Sequence, residues 1–180
     1  MNFLEKELEQ IIWESDNMKL RQKGLEISGK KFRQLRVGNY GILDLLTVEK
    51  LYYSNFRDRR NDPYLNITVY ELKKEKVGIS AFLQSIKYCK GIKSYLSKRK
   101  LGLKFKLNVV LCAKEVDTTG DFIYLTDLFT HEINTPNSNI NSVSAYSFNF
   151  DIDGINFRSH TEYSLIREGF NLKEREVEYE

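Results

Sequence analysis

Gly41-Ile42-Leu43-Asp44-Leu45-Leu46, then Ile67-Thr68-Val69-Tyr70-Glu71-Leu72-Lys73, then Gln84-Ser85-Ile86-Lys87-Tyr88: these three pieces organise the rest of the chain. Two apolar runs each carry one acid to a strand end, and the second adds a lysine two residues on. Strand side chains alternate with a period of two, so Glu71 and Lys73 share a face while Leu72 points the other way. With the Asp44 strand paired alongside, Asp44 and Glu71 can converge on one divalent cation, with Lys73 beside it. Such a set suits phosphodiester hydrolysis. The cation binds a phosphate oxygen and lowers the pKa of a bound water, and the lysine orients the nucleophile or offsets developing charge. A carboxylate in an apolar strand is costly to bury unless paired or liganded. Alone, Asp44 reads equally well as an exposed acid near a turn; Glu71 and Lys73 turn the reading toward metal ligation.

Asp, then Glu-x-Lys on a neighbouring strand, then Gln-x-x-x-Tyr on the next helix, resembles the PD-(D/E)xK nuclease superfamily. Within it the chain is most similar to the RecB-like branch and to the nuclease domain of NucS (EndoMS)-type endonucleases. Leu43 stands where the superfamily usually has Pro. The similarity begins at Leu4-Glu5-Lys6-Glu7-Leu8-Glu9, continues through Arg33-Gln34, and covers residues 3–112. It implies an α/β, restriction-endonuclease-like core, a mixed central β-sheet flanked by helices. It also implies a metal-dependent endo- or exodeoxyribonuclease acting on DNA with Mg²⁺ or Mn²⁺. Asp44 and Glu71 would hold the metal, joined by Glu9 or Glu5 from the first helix, and Lys73 would assist the water. Gln84 and Tyr88 would buttress the site and contact the substrate backbone, and Arg33 and Gln34 would line the cleft. A plain edge strand accounts equally for Arg33 and Gln34. Acids favouring the first turn of a helix account equally for Glu5 and Glu9. The competing reading is a catalytically inactive nuclease-fold protein for nucleic-acid binding or assembly.

At 180 residues the chain is long enough for one sizeable core. The expected division is a nuclease-like core over 1–114 and a C-terminal β-rich extension over 115–180 packed on the same domain. Hydrophobic content of 41% and aromatic content of 13% argue for a folded chain rather than a disordered one. No apolar run approaches the ~20 residues of a membrane span, and the acidic start Glu5, Glu7, Glu9 is unlike a signal peptide. The expectation is a cytoplasmic protein, phage- or mobile-element-borne on the impression given by its many Asn, Ile, Lys and Tyr. Cys89 and Cys112 have no zinc-ligand spacing and read as reduced, buried thiols. A net charge of +3 hides an asymmetry: residues 1–114 carry 24 Lys/Arg against 12 Asp/Glu, and residues 115–180 carry 4 against 13. Lys87 to Lys114 holds nine basic residues and no acid. Lys87 and Lys90 would then face a phosphate backbone, or simply be the solvated side of a helix. The acidic last third would serve a homodimer or a partner protein.

Along the chain, residues 3–15 read as an amphipathic helix stopped at Asp16-Asn17. Lys19–Gly24 reads as a loop, Leu25-Glu26-Ile27 as a short strand and Phe32–Val37 as a second. Gly38–Gly41 is a turn before the strand Ile42–Val48. Glu49–Leu65 reads as an irregular insertion, in which Arg57 and Arg59 among Tyr52, Tyr53 and Phe56 can grip phosphates and stack on bases; an ordinary surface loop fits as well. Ile67–Leu72 has the β-branched content of a central strand. A helix capped at Ser80 should bury Ala81, Leu83, Ile86, Cys89 and Ile92. Phe105–Cys112 reads as a buried strand, Asp121–Leu128 as another and Asn134–Asn141 as a loop. Ser144–Phe150 and Ile155–Phe157 form a hairpin turning at Asp151–Gly154. His131 and His160 have no evident ligand partners, and the tail from Lys173 reads as frayed.

Overall fold

A computed structural model of the chain describes residues 5–54, 61–99, 104–117, 122 and 142–160. The N-terminal run forms helix α1 (Glu5–Glu14), which buries Leu8, Glu9 and Ile12. It stops where its composition suggests, but no loop follows. Asp16 Oδ1 accepts from the Met18 N–H at 2.7 Å and so caps a second, short helix, α2 (Asn17–Gln22). Leu25-Glu26-Ile27 is not a strand either. Leu25 and Ile27 are buried, and the segment lies as an extended rib, with the Tyr70 hydroxyl donating to Glu26 O at 3.1 Å.

The strands in chain order are β1 (Lys30–Arg36), β2 (Ile42–Ser54), β3 (Asn61–Leu72) and β4 (Lys76–Val77). Helix α3 (Ile79–Lys98) follows, then β5 (Lys104–Ala113), β6 (Glu115–Val116), β7 (Ser142–Asp151) and β8 (Gly154–His160). Six of them form one mixed sheet in the order β1-β2-β3-β5-β7-β8, and β4 and β6 pair apart. Strands β1, β2 and β3 are antiparallel neighbours, β3, β5 and β7 are parallel, and β8 returns antiparallel. Parallel neighbours need a crossover; α3 supplies the one between β3 and β5. Beyond residue 114, strands β7 and β8 therefore continue the same sheet, because β7 pairs directly with β5.

The stretch Glu49–Leu65 departs most from expectation. Strands β2 and β3 hold register from Leu45↔Tyr70 to Ser54↔Asn61, so most of this stretch is a long hairpin rather than an irregular insertion. Arg57 and Arg59 lie outside the described residues. So do the proposed strand Asp121–Leu128 apart from Phe122, the loop Asn134–Asn141, His131 and the tail from Lys173. The Asp151–Gly154 turn forms as expected: Asp151 pairs with Gly154, which has φ +101° and so suits glycine.

Helices cover both faces of the sheet. On one face α3 buries Ala81, Phe82, Tyr88, Cys89 and Ile92 against Leu43, Leu46, Ile67, Val69 and Val109. On the other, α1, α2 and the rib pack Leu8, Ile12, Leu20, Leu25 and Ile27 onto Leu45, Tyr70, Leu72, Val110, Cys112 and Tyr146. Of the stripe expected for α3, Ala81, Cys89 and Ile92 are buried and Ile86 packs against the core, whereas Leu83 is 58% exposed. The helix starts at Ile79 with Gly78, not Ser80, at its cap. Tyr88 turns inward, where its hydroxyl donates to Ile42 O at 2.7 Å. Cys89 and Cys112 are free and buried, and burial pushes the Cys89 thiol up to about 12. No helix among the described residues is long and apolar enough to cross a membrane.

Candidate active site

The two acids meet where the antiparallel ladder ends. Continuing the β2–β3 register one step past Leu45↔Tyr70 brings Asp44 opposite Glu71. The step between Arg33↔Leu45 and Leu35↔Leu43 likewise brings Gln34 opposite Asp44. Gln34, Asp44 and Glu71 thus occupy one row across three strands, and Leu111 of β5 extends it. The ladder gives way here because a side chain replaces the backbone: Asp44 Oδ2 accepts from the Leu72 N–H at 3.0 Å.

Glu71 is fully buried. Its Oε1 accepts from Lys73 Nζ at 2.5 Å, while its Oε2 is buried with no hydrogen-bond partner. Buried carboxylate oxygens are normally satisfied, so this orphaned atom marks a position built for a donor or a cation. Burial pushes the Glu71 carboxyl up to about 7, the hydrogen bond from Lys73 opposes the rise, and the charge of Asp44 adds to it. Burial likewise raises Asp44 above its ordinary range; the Leu72 N–H and Lys73 oppose the rise, and Glu5 and Glu9 add to it. Burial pulls Lys73 down, but its bond to Glu71 and the charges of Glu71, Glu5 and Asp44 outweigh that and hold it above its usual value. Acids crowd one another here around one ammonium group.

Helix α1 is docked beside this point by β1. Lys31 Nζ donates to Ile12 O at 2.9 Å and also to Ser15 O, closing carbonyls at the end of α1. Arg33 Nε donates to Glu9 Oε1, its Nη1 reaches Gln10 Oε1 at 2.5 Å, and Gln34 Nε2 donates to Glu9 Oε2 at 2.5 Å. Arg33 and Gln34 therefore turn onto α1, and both oxygens of buried Glu9 are engaged. Gln34 does so from a left-handed backbone, φ +50°, a conformation costing about 1–2 kcal/mol for a non-glycine residue. Glu5, half-exposed one turn earlier, reaches to 4.0 Å from Lys73 Nζ. Gln10 was not foreseen as a partner of Arg33. The two lie 23 positions apart, and no local pattern signals the contact.

Gln84 and Tyr88 close the other side. Gln84 Nε2 donates to the Tyr88 hydroxyl at 2.8 Å, which in turn donates to Ile42 O at the start of β2. A Cβ on Gly41, φ +116°, would come within 3.1 Å of the Tyr88 ring, so glycine is what lets the ring lie under the chain. Lys87 and Lys90 stand exposed on the outer side of α3. The sequence-derived residues thus fall into four groups: Asp44, Glu71 and Lys73 at the row with Glu5 at its rim; Arg33, Gln34 and Glu9 bonded to one another between β1 and α1; Gln84 and Tyr88 under the start of β2; Lys87 and Lys90 away on the helix surface.

Among the described residues no three Asp, Glu, His or Cys side chains gather as a closed metal cage. A cage is not what Mg²⁺ needs. It keeps several waters and is held through one or two carboxylates together with substrate phosphates. Two hard carboxylates, one with an orphaned oxygen, fit such an ion. Comparison of the chain with protein-family models, with curated proteins and with solved structures finds no match in any of the three.

Proposed function

We propose that the chain is a metal-dependent deoxyribonuclease of the PD-(D/E)xK kind, with Asp44 and Glu71 as the ligands of Mg²⁺ or Mn²⁺. The observation that carries this reading is the unpartnered, buried Glu71 Oε2 in one row with Asp44, with Lys73 bonded to the other oxygen of the same carboxylate. When bound, the ion would lower the pKa of a water and polarise the scissile phosphate. The rest falls to the protein. Asp44 is fixed by the Leu72 N–H, so its second oxygen is presented without a search through rotamers. Glu71, whose carboxyl burial raises to about 7, would hold the ion as its carboxylate, the form a ligand must take. Lys73, held by its bond to Glu71 Oε1, is placed to meet the charge growing on the phosphate. Glu9, clamped by Arg33 and Gln34, holds the start of α1 against the row, and Glu5 carries a further carboxylate to its rim. Gln84 and Tyr88 fix the first residues of β2, and exposed Lys87 and Lys90 extend a phosphate-binding surface along α3.

The test is cleavage of single-stranded, duplex and branched DNA in Mg²⁺, Mn²⁺ and EDTA by the wild type and by Lys73→Ala. Metal-dependent cutting that the substitution abolishes supports the reading. Salt-sensitive DNA binding without cutting by either protein would replace it with a non-catalytic binding module.

A further inference from the structure

The sheet carries a second feature that the nuclease reading does not use. Along β3, β5 and β7 the face under α3 is apolar up to the row of Glu71, through Ile67 and Leu107 to Val69, Val109 and Val143. The opposite face changes character halfway. Its row Leu72–Cys112–Tyr146 is buried beneath the helices, whereas the rows Tyr70–Val110–Ser144 and Thr68–Asn108–Ser142 become progressively polar. There a cleft of about 440 Å³ opens, floored by Asn66, Thr68, Asn108, Ser142 and Ser144 and walled by the rib Glu26–Ser28 with Arg21 of α2. That volume lies within the range of about 300–1,000 Å³ typical of ligand sites.

The floor is wired. Ser142 Oγ donates to Asn108 Oδ1 at 3.0 Å, and Asn108 Nδ2 donates to Asn66 Oδ1 at 2.8 Å. Because Asn66 accepts through its oxygen, its amide nitrogen is left to present donors, and the Ser142 oxygen keeps acceptor capacity at the other end. The wall is fixed as well: the Tyr70 hydroxyl holds Glu26 O, Ser28 Oγ donates to Glu49 Oε2 at 2.7 Å, and Asn17 Nδ2 donates to Gly29 O at 2.9 Å. Such a site suits a ligand with both donors and acceptors. Arg21 adds a cation at the rim, and Lys106, register partner of Asn66, places another at the floor's edge over the Tyr64 ring. Glu26 on the wall disfavours a purely anionic ligand and can accept from a base amino group.

We infer that this cleft binds a nucleotide unit of a single-stranded nucleic acid, its base edge and sugar against the Asn66–Asn108–Ser142 floor and its phosphates toward Arg21 and Lys106. The inference rests on the nuclease reading for the choice of nucleic acid as ligand, and its test does not depend on catalysis. Binding of fluorescent 12-mers of oligo-dT and oligo-U is followed by anisotropy in EDTA across a salt series, with folding checked by circular dichroism. The wild type binds at least one 12-mer, and the two arms tell DNA from RNA. Arg21→Ala, on the surface, weakens binding roughly 3–10-fold and lowers the salt slope by about one. Asn66→Asp, which replaces donors by a charged acceptor, weakens it at least about tenfold. The inference is overturned if neither single strand binds, or if both variants bind as the wild type does. Loss of the nuclease reading would show separately, as failure to cut in Mg²⁺.

Discussion

Asp44 stands opposite Glu71 at the step where β2 and β3 stop exchanging backbone hydrogen bonds, and its carboxylate takes over the next N–H, that of Leu72, at 3.0 Å. One side chain therefore both ends a ladder and begins a site. The two roles can be separated by substitution, because an amide oxygen can still accept from Leu72 whereas a methyl group cannot.

Asp44→Asn keeps that acceptor and removes the charge. The variant should fold with a melting temperature within a few degrees of wild type, yet lose Mn²⁺ binding by at least about 100-fold in calorimetric titration. Asp44→Ala should lose the metal equally and, in addition, about 1–3 kcal/mol of stability by urea titration, because the N–H of buried Leu72 is left unpaired. Equal stability of the two variants would show that the hydrogen bond contributes nothing.

The two glutamates of α1 should part company. Glu9→Ala strips Gln34 of its acceptor, leaves Arg33 only Gln10, and leaves Gln34 in its left-handed backbone without compensation. Arg33 is about a third exposed, and solvent screens its loss, so the expected cost is about 1–3 kcal/mol. Glu5→Ala touches only a 4.0 Å contact to Lys73 and should leave stability within about 0.5 kcal/mol. Denaturant midpoints of the two variants, measured side by side, decide this.

Tyr88→Phe removes the bridge from Gln84 to Ile42 O and should cost about 1 kcal/mol. Gly41→Ala should cost more, since it sets a Cβ 3.1 Å from the Tyr88 ring in a backbone that disfavours any side chain. If the seating of Tyr88 against Ile42 O is what holds the start of β2, hydrogen exchange there should accelerate in both variants.

How much of this was legible in the sequence follows from the range of the forces involved. Asp44, Glu71 and Lys73 could be read because strand alternation is local, and a single acid in an apolar run is conspicuous. Helix α1 showed its face by period; α2, six residues long, is too short to show one. The long hairpin was hidden by Asn61-Asp62-Pro63, a breaker signal that the extended β2–β3 pairing overrides. The inward turn of Tyr88 had no local sign either, since the acceptor of its hydroxyl, Ile42 O, lies 46 positions away. The polar cleft gave no local sign, since Asn66, Asn108 and Ser142 become neighbours only once β3, β5 and β7 lie side by side.

Glu71 makes the metal-free protein's stability depend on pH with an unusual sign. Its carboxyl sits at about 7 when folded, against 4.5 as the ordinary value, so between those limits the folded state binds more protons than the unfolded one. Stability must then fall as pH rises through that window, being greatest below about 4.5 for this group and lowest above about 7. A shift of that size corresponds to about 3 kcal/mol in all, and Asp44, also raised, pulls in the same direction at lower pH. Most surface carboxylates act oppositely, so the comparison to make is between wild type and Glu71→Gln in EDTA. The difference in unfolding free energy between them should change by about 2–4 kcal/mol from pH 5 to pH 8, with the wild type losing ground. Saturating Mg²⁺ should restore the wild type at pH 8 and do nothing for the variant, because an ion that binds only the ionised, folded form stabilises it by mass action. A difference that stays flat across the window would mean that Glu71 titrates as an ordinary carboxylate, and a wild type that Mg²⁺ does not stabilise would mean that its orphaned oxygen does not mark a cation site.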